Sequence, residues 1–269
     1  WQDHLLKNGD LDRQISYWRD LLDPRCSALE FRRGSNTKPP RYHSSRRPIE
    51  CDARLFGRIK AFARAENCTP FMVFVAALNV LLHRYTGESD IRIGTLVANR
   101  GQPGTEALIG YFVNALVLRA SIRPGMTLAD VIHQARETCV SAYAHENLPF
   151  EHLEAVVGNK NGKRQQPLYQ VMLNYRNQTT PTLEANGLTI ASWNRTHRAE
   201  DPGIAISRLD VNFHLRALST KLTGAVTYKT DLFDEAAMAR FLESYTEILK
   251  QMVAHRNLRV AELKLPDAR

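Results

Sequence analysis

Two histidines and two glutamates share one short run, Ala144 to Leu153 (AHENLPFEHL). Side chains of these types can bind a metal or relay a proton. A zinc protease needs His-Glu-x-x-His on an unbroken helix, so that both imidazoles share a face. Counting from His145 and Glu146, the second histidine belongs at 149, which is Pro149; the inverted form needs a histidine at 148, which is Leu148. Pro149 also breaks any helix that would align His145 with His152. The spacing predicts no metal site. It predicts a helix ending near His145 and a short one starting at Pro149, with acids near its N-terminus.

Other chemistries leave no trace either. The chain has no Gly-x-Ser-x-Gly elbow and neither phosphate-cradling pattern, Gly-x-x-x-x-Gly-Lys or Gly-x-Gly-x-x-Gly. Cys26, Cys51, Cys68 and Cys139 form no Cys-x-x-Cys pair, which fits reduced thiols in a cytoplasmic protein. The longest apolar run, Phe71 to Leu82, is too short to span a bilayer, and no signal-peptide pattern opens the chain. The formal charge is +8. Cations are densest early, at Arg25, Arg32, Arg33, Lys38, Arg41, Arg46, Arg47, Arg54, Arg58 and Lys60. Such a face is either plainly solvated or suited to an acidic partner. No nucleic-acid-binding signature accompanies it, so nucleic acid is not expected as a partner.

These residues must be held by a mixture of helices and strands. Leu11 to Leu22 reads as a helix. Asp52 caps a second, with Leu55, Ile59, Phe62 and Ala63 on one stripe and Arg54, Arg58 and Arg64 opposite. Thr69-Pro70 opens a helix that is apolar nearly all round and must therefore be buried. Thr127 to Asp130 resembles a capping box ahead of a stripe of Leu128, Val131, Ile132, Ala135, Cys139 and Ala142. Asp234 opens the last long helix. Ile91 to Val97 and Phe112 to Leu118 read as strands fit for the middle of a sheet; alternation marks further strands at Val171 to Tyr175, Leu209 to Leu215 and Leu222 to Tyr228. Loops are expected at Asn99 to Thr105, Gly158 to Pro167 and Arg198 to Gly203. The order implies an α/β (α+β) fold, a mixed sheet packed with helices.

Several segments, in order, resemble the condensation domain of nonribosomal peptide synthetases. Ile109-Gly110-Tyr111-Phe112-Val113-Asn114, continuing to Arg119, is similar to the family's Ile-Gly-x-Phe-Val-Asn motif. His145 to Glu151, with Pro149 and Phe150, is similar to His-Gln-x-x-Pro-Phe-Glu. Pro167 to Val171 resembles Pro-Leu-Phe-Gln-Val. Tyr17-Trp18-Arg19, Leu81 to Tyr85 and Val97 to Arg100 also fit, as do Leu209-Asp210-Val211 and Tyr228 to Phe233. The run Ala144 to Leu153 then becomes a family motif at a structural bend.

The resemblance implies a lobe like chloramphenicol acetyltransferase, one of two that form a V around a tunnel. Phosphopantetheine arms of partner carrier proteins bring two thioesters there to be joined by an amide bond; no cofactor is bound directly. Asn99, Arg100 and Gly101 begin the loop, Asn99 to Leu108, that floors the tunnel. Gly110 and Asn114 would face or support the acceptor side, or else Gly110 enters a strand and Asn114 pairs with backbone. Tyr111, Phe112, Arg119, His145, Pro149, Phe150, Glu151, Pro167 and Asp210 are structural motif positions. A latch to the other lobe is expected within Thr179 to Asp201. The family's chemistry centres on His-His-x-x-x-Asp-Gly, and none of the nine histidines here adjoins another. That motif belongs to the N-terminal half, ahead of a tryptophan that Trp1 matches. The chain is therefore expected to be the C-terminal lobe, without a catalytic residue and inactive alone. Its partners would be the N-terminal lobe, peptidyl carrier proteins and a neighbouring adenylation domain. The alternative is a non-catalytic module that only docks a carrier protein.

Overall fold

The computed structural model describes residues 11–22, 29, 31, 43–157, 167–177, 183–185, 187–190 and 209–266. Trp1, Cys26, the cations between 25 and 41, and the loops 158–166 and 198–203 lie outside the described residues. Helix α1 spans Asp12–Leu21, α2 Ala53–Ala65, α3 Pro70–Thr86, α4 Leu128–Ala144, α5 Phe150–Val157 and α6 Glu235–Ala254. The strands are β1 Ser44–Cys51, β2 Asp90–Val97, β3 Asn114–Ser121, β4 Val171–Arg176, β5 Leu183–Ala185, β6 Leu188–Ile190, β7 Val211–Ala217 and β8 Leu222–Lys229.

Side-chain caps fix where four of the helices begin. Asp52 accepts from the Leu55 N–H (2.7 Å), and Asp234 from the Ala237 N–H (2.6 Å). Thr69 accepts from the Met72 N–H, and Thr127 and Asp130 satisfy each other's N–H groups reciprocally. Each such oxygen satisfies one of the orphan donors of a helix N-terminus. Every residue of α3 from Phe71 to Leu82 is buried, Asn79 included, as a helix apolar nearly all round requires.

Six strands form one mixed sheet in the order β1-β8-β7-β4-β2-β3. The β2–β4 and β4–β7 pairs are parallel; the other neighbours are antiparallel. Val171 pairs with both Ile93 and Val211, so Ile93, Val171, Leu173, Phe213 and Val226 share one face. There Phe74 of α3 meets Tyr175, Phe213 meets Phe241 and Tyr245 of α6, and the Tyr245 hydroxyl donates to the Phe74 carbonyl. Gly94 and Arg119 point the other way, where Tyr169 and the end of α1 meet them. β1 was not foreseen. Its sequence, SSRRPIEC, breaks alternation with Arg47 and Pro48, and an edge strand tolerates both because only one side must pair. β3 starts at Asn114, not at Phe112. The small β5–β6 hairpin, turning through Gly187 at φ 79°, is the described part of the expected latch region. Among the described residues no single helix is long and apolar enough to cross a membrane.

Candidate functional site

Asn114 is the first residue of β3 and is buried. Its Nδ2 donates to the carbonyls of Glu146 and Leu148, both at 2.8 Å. Its Oδ1 accepts from the N–H of Ala115 and of Phe150, both at 3.0 Å. One carboxamide thus serves four backbone groups and fixes the bend between α4 and α5. Of the two roles open to Asn114 from sequence, pairing with backbone is the one these bonds describe. Helix α1 completes the lock. Gln14 Oε1 accepts from the Leu148 N–H (2.9 Å), and the fully buried Trp18 donates its indole N–H to the His145 carbonyl (3.0 Å).

His145 caps the C-terminus of α4. Its Nδ1 donates to the Ser141 carbonyl (2.8 Å), and its ring stacks on Tyr17 with centroids 3.9 Å apart. Pro149 precedes α5, and its carbonyl accepts from His152 and Leu153. Glu151 stands exposed in the first turn of α5, where the helix dipole favours an acid. The two histidines of the Ala144 to Leu153 run are therefore held apart by the bend, and among the described residues no three His, Cys, Asp or Glu side chains converge to hold a metal.

The loop from Asn99 to Leu108 is organised by Arg100. Its guanidinium lies over the Phe112 ring (4.2 Å to the centroid) and donates to the carbonyls of Thr105 and Leu108. Asn99 adopts φ 51° and Gly104 φ 86°, the left-handed conformation that lets the chain turn back. The Glu146 carboxylate reaches the other side of this loop, 3.9 Å from where a Cβ on Gly101 would be. Burial raises the Glu146 pKa. Gly110 is exposed. Beside it Leu108, Ile109, Tyr111 and Val113 form an exposed apolar row, with Ile109 and Tyr111 almost wholly in solvent.

The remaining motif positions bind the frame. Arg119 pairs with Asp90 (2.6 Å) and donates to the Leu21 carbonyl. Asp210 is buried, taking Lys229 Nζ on one oxygen (2.7 Å) and Gln170 Nε2 on the other (2.8 Å). Gln170 in turn brackets the backbone of Leu29. Pro167 is exposed at the head of the segment that carries Tyr169. The Tyr169 ring lies so close over Gly94 that a Cβ there would sit 2.4 Å from it. Burial, with Glu154 and Tyr111 nearby, pushes the Tyr169 phenol up to about 12. Gln14, Gly94 and Lys229 were not singled out from sequence; a lone glycine inside an apolar strand was the one available signal for close approach.

This is positioning machinery. His145 is stacked and hydrogen-bonded, and burial pushes the Cys51 and Cys139 thiols up to about 11 and 12, far from thiolate character. What the arrangement does is carry the Arg100-braced loop and an exposed apolar row at one edge of a sheet.

The profile described as Condensation domain matches residues 1–269. A linear gramicidin synthase of Brevibacillus parabrevis is 31% identical over 98% of the chain. Malpibaldin synthetase of Mortierella alpina is 30% identical over 95%. Phosphinothricin tripeptide synthetase PhsC of Streptomyces viridochromogenes is 30% identical over 98%. The chain spans only 5%, 4% and 24% of those proteins, respectively. Among solved structures, the X-domain from teicoplanin biosynthesis superposes with a TM-score of 0.80 at 21% identity, covering 99% of this chain and 61% of that one. The condensation domain of the Monacolin K polyketide synthase MokA gives 0.76 at 22%, covering 97% and 61%.

Proposed function

The chain belongs to the condensation-domain family, and from that premise we propose that it is the C-terminal lobe of a condensation domain in a nonribosomal peptide synthetase. In this reading the assembled domain forms an amide bond between two carrier-bound thioesters. This lobe supplies the acceptor-side wall, through the backbone around Gly110 and Asn114, and the floor loop from Asn99. The carrying observation is the Asn114 lock, which ties the Ile-Gly-x-Phe-Val-Asn segment to the His-x-x-x-Pro-Phe-Glu bend. No two histidines are adjacent in the chain, so the residue that would handle the amine proton must come from the N-terminal lobe.

The test is a condensation assay with two loaded carrier proteins. The chain alone is expected to give no product above background, because loss of a positioned acid–base group costs ~10²–10⁴ in rate. Supplying the N-terminal lobe in trans is expected to restore turnover. Product from the chain alone would overturn the reading. Carrier binding without turnover, even with the second lobe present, would favour the docking module, the reading that the absent histidine pair also supports.

A further inference from the structure

We propose that the exposed face of α2 docks an acidic helix of a carrier protein, an inference that rests on the function proposed above. Helix α2 (ARLFGRIKAFARA) buries Leu55, Phe56, Ile59 and Ala63. At 100° per residue the opposite arc carries Arg54 and Arg58 on one flank and Lys60 and Arg64 on the other. Between the flanks lie Ala53, Gly57, Ala61 and Ala65, all exposed.

Among the described residues no acid pairs with these four cations. The first turn has no acid; Asp52 is spent on the Leu55 N–H, and Glu66 is buried against Arg256 (2.7 Å). Lys60 rests over the Phe56 ring, and among the described residues Arg64 reaches only the Lys60 carbonyl. Among the described residues neither Arg54 nor Arg58 has a hydrogen-bond or ion-pair partner, and both are exposed. Gly57 is equally unexplained from within. Mid-helix glycine is unfavourable, yet a Cβ there would meet nothing within 4 Å.

The charge selects the occupant. An anionic membrane would ask for large apolar residues among the cations, and the arc offers only alanine and glycine. Single-stranded nucleic acid would ask for exposed aromatic stacking platforms, and the arc has none. A helix with acids on both flanks fits: alanine and glycine let its backbone come close, and Arg54, Arg58, Lys60 and Arg64 meet its carboxylates. Charges arranged this way steer association and set its salt dependence.

The experiment uses the complete two-lobed domain and the phosphopantetheine-bearing carrier domains of the same synthetase. Dissociation constants are measured at low and high salt for wild type, the Arg54→Glu, Arg58→Glu double variant and Gly57→Gln. The double variant is expected to bind at least tenfold more weakly at low salt with a flattened salt dependence, at unchanged thermal stability. Gly57→Gln, which enters open space and so leaves the fold intact, is expected to weaken binding several-fold. Reversing acids on the carrier helix to lysine is expected to restore binding to the double variant. Wild-type affinity in both variants would overturn the inference while leaving the functional reading standing. A wild-type domain that binds no carrier would sink that reading and this inference with it. Preferential binding to anionic vesicles or to a single-stranded oligonucleotide would show the occupant to be wrongly chosen.

Discussion

The carboxamide of Asn114 satisfies two carbonyls and two N–H groups in a place water reaches poorly, so its removal leaves buried backbone polar groups unpaired. Such groups cost ~1–3 kcal/mol each, partly relieved by relaxation. Asn114→Ala is expected to lower unfolding free energy by at least about 2 kcal/mol, read from the urea midpoint at constant slope. Asn114→Asp should be nearly as costly, since it keeps the acceptor and sets a carboxylate against two carbonyls. Glu146 allows a pH test. Burial raises its pKa, so the folded state binds the proton more tightly than the unfolded state. The benefit of the neutral form is present below the unfolded-state value and is lost as pH rises through the folded one. Glu146→Gln, the residue type of the family motif, is therefore expected to stabilise the fold at neutral pH and to change nothing in strong acid. Denaturant titrations at both pH values check this, and equal effects at both would refute it. Sequence alone offered backbone pairing as one role for Asn114 but not its partners, because Asn114 and Glu146 lie far apart in the chain and only folding brings one carboxamide to the other's carbonyl.

At the scale of elements, what was legible follows local physics. Asp52, Thr69, Thr127 and Asp234 announce helix starts through interactions a few residues long, and the buried stripes of α4 and α6 fall where a 3.6-residue period puts them. β1 was illegible because its reason for existing is distant: Ile49 and Cys51 are buried only once the strand pairs with β8. The Gly94–Tyr169 contact is hidden for the same reason. It makes a sharp prediction, since a methyl group 2.4 Å from a ring must displace one of them. Gly94→Ala should destabilise by ~1–3 kcal/mol, the usual cost of overpacking. In Tyr169→Ala the same substitution should be nearly free. The double-mutant cycle checks this: additive effects would mean that ring and glycine do not confront each other.

The whole molecule presents one edge that its own core does not need. Leu108, Ile109, Tyr111 and Val113 stand in a row beside the Arg100-braced loop, and Leu96 of β2 is half exposed as well. Apolar rows of this kind mark surfaces meant to be covered, and left bare they promote association. The isolated chain is therefore expected to self-associate in sedimentation velocity, and replacing Ile109 and Tyr111 together by serine should return it toward a monomer without shifting its melting temperature. Hydrogen exchange extends the test to dynamics. Helix α3, buried along almost its whole length, should exchange only through global unfolding, whereas residues 99–113, with few backbone bonds of their own, should exchange at once. On the function proposed above, adding an N-terminal lobe should slow exchange across 99–113 and leave α3 unchanged, since α3 is already buried. If the lobes bind while 99–113 stays as open as before, the apolar row faces something other than the lobe boundary, and the floor loop has been assigned to the wrong side of the molecule.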